Sequence, residues 1–133
     1  MANGTVITTN GVKIMLNRTY KATPDYLAPT QFKIGTGTTT PIVADTDVET
    51  GVEIEAGVDE KVFVSGYPTL DETNMQATIR CYLNSLEGNG NSLTEFGLFN
   101  EDGTALMFSH AVFTAISKTS SNEISFVQKD TIQ

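Results

Sequence analysis

The chain has 133 residues, a formal net charge of −8 and one cysteine, Cys81, which excludes an internal disulfide. Its length suits a single domain, and its many threonine, serine, asparagine and glycine residues favour a turn-rich β protein over a helical bundle. An acidic chain without a basic cluster repels phosphate groups, so we expect neither nucleic acid nor a membrane among its partners.

The N-terminal arm and helix are predicted within residues 1–20. The sequence TVIT at 5–8 is typical of a short strand or arm. A helical spacing follows, and Thr9 or Asn10 can cap it. The predicted helix face consists of Val12, Met15, Leu16, Thr19 and Tyr20. The helix must end before Pro24, because the residue that precedes a proline avoids the helical region.

A β-rich body is predicted over residues 30–133, where apolar and polar residues alternate between turn signals. The predicted strands lie at 31–37, 51–56, 61–67, 75–84, 94–100, 105–113 and 123–133. The second and third of these are expected to form a hairpin around residues 57–60. Residues 38–50 are polar and interrupted by Pro41, which indicates a surface loop with room for one short strand at 42–43.

The clearest hairpin is TEFGLFNEDGTALMF, residues 94–108, because Asp-Gly tolerates the positive φ of a tight turn. One face of the hairpin is expected to enter the core, and it consists of Phe96, Leu98, Leu106 and Phe108. Six to eight strands are expected, and no βαβ alternation, repeat or domain boundary is present. We therefore predict one domain, 1–133, that is mainly β: a compact antiparallel β-sandwich or barrel-like domain with one short N-terminal helix.

The acidic run that begins at Asp45 and Asp47 partly matches the opening of a calcium-binding loop. Such a loop needs glycine at its sixth position and a bidentate glutamate at its twelfth. Counting from Asp45, these positions hold Thr50 and Ala56, so the run predicts a solvated face. A metal held between subunits by Asp45 or Asp47 stays open at this point.

Nucleophilic catalysis by a cysteine–histidine pair could use only Cys81 and His110. Cys81 lies in the apolar row of its strand, which predicts a buried, inert thiol. The stretch Gly35-Thr36-Gly37 lacks the third glycine of a dinucleotide site and the lysine of a phosphate loop. No catalytic, cofactor-binding or metal-ligating residue is therefore assigned. We expect no cofactor and no enzymatic activity.

Three segments, in chain order, carry a family resemblance. Phe32–Pro41 matches the pattern F-x-V/I-G-x-G-x-x-x-P, and Thr94–Gly103 matches E-x-G-L-F-x-x-D-G. Ile116–Thr119, followed by Glu123–Phe126, matches I-x-K-T … E-I-x-F. Together these segments resemble the tail-collar fibre attachment and baseplate-associated structural proteins of tailed bacteriophages.

The resemblance implies a virion structural protein of the tail, neck or baseplate that attaches or adapts fibres to the tail. It also implies contacts with other virion structural proteins and assembly as a homo-oligomer. The first residues, MANGTVITTN, lack the pattern of a secretory signal, so assembly in the host bacterial cytoplasm is expected. A capsid decoration protein is an alternative within the virion. A carbohydrate-binding module, with loops such as Gly88–Asn91 forming its site, is a further alternative.

Candidate contacts lie in the two terminal segments and in the hairpin turn. The arm and helix (Thr5–Tyr20) and the last strand (Glu123–Gln133) are expected to add to a neighbour's sheet edge or to dock in its groove. The candidate interaction residues are Thr5, Val6, Ile7, Glu101, Asp102, Gly103, Ile124 and Phe126. For the rest of the hairpin motif, a role in specifying the fold is favoured over direct contact, with Gly97 permitting close packing.

Overall fold

Nine strands and one helix form the part of the chain that the computed structural model describes, residues 4–101 and 105–133. The N-terminal elements are β1 (Gly4–Ile7) and α1 (Thr9–Tyr20), which confirms the predicted arm and helix to within one or two residues. The other strands are β2 (Gln31–Gly35), β3 (Gly51–Val52), β4 (Glu60–Val62), β5 (Thr69–Asp71), β6 (Gln76–Leu83), β7 (Asn91–Phe99), β8 (Met107–Lys118) and β9 (Ile124–Thr131).

The strands form two antiparallel sheets. The larger sheet has the order β1-β8-β7-β2-β3, with β4 also paired to β2, and the smaller sheet has the order β5-β6-β9. Apolar side chains of both sheets share one core, in which Phe96 of β7 stacks on Phe126 of β9 with ring centroids 5.0 Å apart. Two antiparallel sheets and a single helix confirm the prediction of a mainly β, sandwich-like fold.

The helix α1 packs against β8 through a different face from the predicted one. The cap is Thr8 and not the predicted Thr9 or Asn10, since the Oγ1 of Thr8 accepts a hydrogen bond from the N–H of Gly11 at 3.0 Å. Gly11 and Ile14 are buried, and a Cβ on residue 11 would lie 2.1 Å from the carbonyl oxygen of Phe108. The helix therefore docks where its backbone can come nearest to the strand. The predicted face stays largely exposed, at 51% for Val12, 61% for Leu16 and 81% for Tyr20.

The predicted hairpin between 51–56 and 61–67 is wrong in its pairing. Both β3 and β4 pair with β2, and they lie end to end along the same edge of that strand. The isolated bridge between Glu55 and Val58 lies at the connection between the two segments and does not join them. Pairing with β2 satisfies the backbone groups of three segments together, whereas a separate hairpin would leave the edge of β2 unpaired.

Two smaller differences concern the loop and the second sheet. Residues 38–50 form the predicted loop, without a strand at 42–43. The short strand β5, which no sequence pattern indicated, pairs with β6. Along β6 the predicted apolar row is confirmed, since Ile79, Cys81 and Leu83 are buried.

The hairpin of β7 and β8 is confirmed and lies at the centre of the larger sheet. Phe96, Leu98 and Phe108 are buried, and Leu106 is half-buried. Every residue from 93 to 100 is buried, because the smaller sheet covers one face of β7 and the loop of residues 36–50 lies over the other.

Candidate functional site

A buried polar cluster joins β7, β8 and the loop of residues 36–50. His110 lies between two carboxylates: its Nδ1 is 2.7 Å from Asp45 Oδ2, and its Nε2 is 2.7 Å from Glu95 Oε1. Glu95 is 0% exposed and His110 is 4% exposed. An ionised carboxylate only accepts hydrogen bonds, so the arrangement suits an imidazolium that donates from both nitrogens. We refer to Asp45, Glu95 and His110 as the Glu95 cluster.

Glu95 also fastens both ends of the loop to the sheet. Its Oε2 accepts hydrogen bonds from the N–H of Gly37 at 2.6 Å and of Thr50 at 3.0 Å. Its Oε1 accepts a third from the N–H of Glu49 at 2.8 Å. The carboxylate thus takes four hydrogen bonds, which satisfies a buried charge that would otherwise be costly.

The two titrating groups stabilise each other in their charged forms. Burial raises the pKa of Glu95, but hydrogen bonds from His110 and from the N–H groups of Thr50, Glu49 and Gly37 outweigh that effect and lower it to about 2. Burial lowers the pKa of His110, but its bonds to Glu95 and Asp45 outweigh burial, so the pKa lies above its ordinary value. The cluster is therefore an imidazolium held between carboxylates.

Two glycines make room for the Glu95 carboxylate. A Cβ on Gly35 would lie 2.6 Å from Glu95 Oε2, and a Cβ on Gly37 would lie 2.4 Å from the same atom. Gly35 is also the register partner of Glu95 across β2 and β7. The Gly-x-Gly of one segment and the glutamate of the other, which carry much of the family resemblance, thus meet at one point. Sequence reasoning missed this contact, whose only signal was a lone glutamate in an apolar strand.

The Glu95 cluster lacks the arrangement that general-base catalysis needs. Both ring nitrogens of His110 are bonded to carboxylates, so neither can take a proton from a nucleophile. Cys81 lies in β6 of the other sheet, and burial raises its pKa to about 12. Within 4–101 and 105–133, no group of three or more histidine, cysteine, aspartate or glutamate side chains has a geometry that could hold a metal ion. What the cluster does is hold a loop against a sheet.

The acidic run after the cluster is largely solvated, as predicted. Asp45 belongs to the Glu95 cluster, and Asp47 forms an ion pair with Lys33 at 3.3 Å. The acidic side chains beyond them are exposed, and four of these, Glu53, Glu55, Asp59 and Glu60, we call the acidic rim. The rim lies along β3 and β4, at the edge of the larger sheet that is farthest from β1.

The predicted contact residues of the arm lie in β1. This strand pairs with β8 of the same chain, with Thr5 opposite Ala111 and Ile7 opposite Ser109. Thr5 is exposed, whereas Val6 and Ile7 are half-buried. Because β1 forms one end of the larger sheet, its outer edge is the part that a neighbour can reach.

The predicted contact residues in the last strand and in the hairpin turn differ in their exposure. Ile124 and Phe126 are 8% and 7% exposed, so their side chains belong to the core and contribute little contact surface. The backbone of β9 is nonetheless an edge strand of the smaller sheet. Glu101 is exposed, and Asp102 and Gly103 lie outside the described residues.

Two exposed apolar surfaces were not predicted. The first, the outer face of α1, consists of Val12, Leu16 and Tyr20. The second is a groove between β8 and β9, where Ile116 and Val127 are exposed, Phe113 is half-buried, and Phe96 and Phe126 line the groove but are buried. The groove opens because β1 pairs with β8 only as far as Val112, so the rest of that side of β8 has no neighbouring strand among the described residues.

Comparisons of the chain with protein-family models, with curated proteins and with solved structures gave no match. Across the described residues, α1 has neither the length nor the apolarity that a bilayer-crossing helix requires.

Proposed function

We propose that this chain is a non-enzymatic structural component of a bacteriophage virion, a tail, neck or baseplate protein that attaches or adapts fibres to the tail. It assembles in the host bacterial cytoplasm, binds other virion structural proteins and forms a homo-oligomer. Its contacts are made by surfaces and strand edges, and it requires no cofactor.

The apolar surface left uncovered by the fold carries this proposal. The outer face of α1 exposes Val12, Leu16 and Tyr20, and the groove between β8 and β9 exposes Ile116 and Val127, on an otherwise acidic protein. Contiguous exposed apolar patches usually mark interaction sites, whereas single exposed apolar residues are common on any protein surface. Free edges at β1 and β9 add backbone groups that an incoming strand can pair with.

The sequence resemblance supplies the virion context. Two of its three segments meet in the Glu95 cluster, where they fasten a loop across the central hairpin. These residues specify the fold, and the surfaces around them are where partners bind. A scaffold of this kind presents rigid edges and loops without any chemistry of its own.

Immunogold electron microscopy of purified particles tests the proposal, using antibody raised against this chain. Label confined to the tail, neck or baseplate is the expected result. Label spread over the head would replace the adaptor by a capsid decoration protein. If the epitope is buried in the particle, no label appears although the chain is present, so the same particles are also analysed by mass spectrometry. Finding no peptide of this chain would refute a virion function. Glycan-array binding by the isolated protein would then identify a carbohydrate-binding module.

A further inference from the structure

We propose that the outer face of α1 in one copy of this chain binds the acidic rim of a second copy, which gives a head-to-tail assembly. The inference deepens the proposed function and rests on it, because it names the partner of one exposed surface.

The helix carries basic side chains on an otherwise acidic chain. The helix α1 and its C-cap contain Lys13, Arg18 and Lys21, three of the eight basic residues, and no acidic residue, but Lys21 forms an ion pair with Asp25 at 2.6 Å. Lys13 and Lys21 line the same shallow depression as Leu16 and Tyr20, so they flank the outer face. Lys13 forms no ion pair with any described carboxylate. The surface is therefore an apolar row bordered by positive charge.

The acidic rim is complementary to the helix in both charge and polarity. Its four carboxylates form no ion pair among residues 4–101 and 105–133. Two valines lie beside them and are also exposed, Val58 at 41% and Val62 at 58%. In a contact between the helix of one copy and the rim of another, apolar side chains meet the valines and lysines meet carboxylates. A helix–helix or a rim–rim contact would instead bring like charges together, so the helix–rim contact is favoured.

The two surfaces cannot meet within one chain. The helix α1 packs on β8, and the rim lies on β3 and β4, three strand positions away in the sheet. Three strand spacings correspond to about 14 Å, beyond the reach of a direct ion pair. Because the surfaces differ, their contact is heterologous, and repeating it produces a ring or a filament according to the rotation between copies.

Paired charge reversals test the contact. The helix variant combines Lys13→Glu with Lys21→Glu, and the rim variant combines Glu53→Lys with Glu55→Lys. All four side chains are exposed, so both variants should fold, which circular dichroism checks. Native mass spectrometry and light scattering should show oligomers for the wild-type chain and self-association weakened about tenfold or more for each variant. Glu72→Lys, on an exposed site elsewhere, is a control that should assemble as wild type does.

Mixing the two variants gives the sharper result. The acidic helix of the first variant can pair with the two lysines that the rim variant introduces at positions 53 and 55, and their unchanged surfaces complement each other. The mixture should therefore recover oligomers in which the two variants alternate. A monomeric wild-type chain, variants that still assemble alone, or a mixture that stays monomeric would each overturn the inference.

The same experiment separates this inference from the proposed function. If the chain is found on the tail but the reversals leave its assembly unchanged, the head-to-tail contact is wrong and the virion role stands. If the reversals behave as expected but particles lack the chain, the contact stands and the virion role is wrong.

Discussion

Replacing Glu95 by glutamine removes the charge at the centre of the buried cluster while keeping the size of the side chain. The carboxylate accepts four hydrogen bonds, two on each oxygen. Glutamine keeps one acceptor oxygen and presents an NH₂ group in place of the other. That group would face two N–H donors, so two hydrogen bonds are lost and donors are set against each other.

The magnitude follows from the pKa of Glu95. Hydrogen bonds lower it from the ordinary value of 4.5 to about 2, which corresponds to about 3 kcal/mol in favour of the folded, charged state. Removing one partner of a buried ion pair costs a similar amount, about 3–5 kcal/mol. We therefore expect Glu95→Gln to lower the free energy of unfolding by about 3 kcal/mol.

Urea denaturation, monitored by circular dichroism near pH 6, measures this change. Glu72→Gln is the matched control, because Glu72 is exposed and the same chemical change there should leave stability within about 0.5 kcal/mol of wild type. A cost below about 1 kcal/mol for Glu95→Gln would refute the view that this carboxylate fastens the loop.

Three further predictions concern the pH dependence of stability, the contact of α1 with β8, and the reactivity of Cys81. The stability that Glu95 contributes should be fully present above pH 4.5 and be lost as the pH falls toward 2. The stability that His110 contributes should be fully present below pH 6.5 and be lost as the pH rises through the raised pKa of His110. Urea midpoints measured across this pH range should thus be highest between these limits, and a flat alkaline limb in wild type would contradict the assignment. Gly11→Ala places a Cβ 2.1 Å from a backbone oxygen, so it should destabilise the protein by about 1–3 kcal/mol or more, while Thr19→Ala on the exposed side of α1 should not. Cys81, whose pKa burial raises to about 12, should resist alkylation at neutral pH until the protein unfolds, and fast labelling of the native chain would show that the thiol is accessible.

Local pattern was sufficient where a segment's own residues decide its structure. The alternation of Ile79, Cys81 and Leu83 predicted a buried row, and the Asp-Gly turn predicted the central hairpin. The same reasoning placed the N-terminal helix correctly but chose the wrong buried face. The number of apolar residues on a helix face does not show how close the helix backbone can come to a neighbouring strand. Gly11 decides that question, and its role depends on a carbonyl oxygen about a hundred residues away in the chain.

By itself, the sequence determined a mainly β chain with one N-terminal helix, an inert buried cysteine and an acidic, solvated run. The type of secondary structure and the side chains that it buries follow from the spacing of apolar residues along a segment, so both can be inferred locally. The tertiary structure alone decided that β3 and β4 share one edge of β2, and that Glu95, His110 and Asp45 form a single cluster. The tertiary structure also decided which apolar side chains remain exposed to solvent. These outcomes depend on which distant segments come together and on how buried charges find partners, and a pattern read along one strand contains neither piece of information.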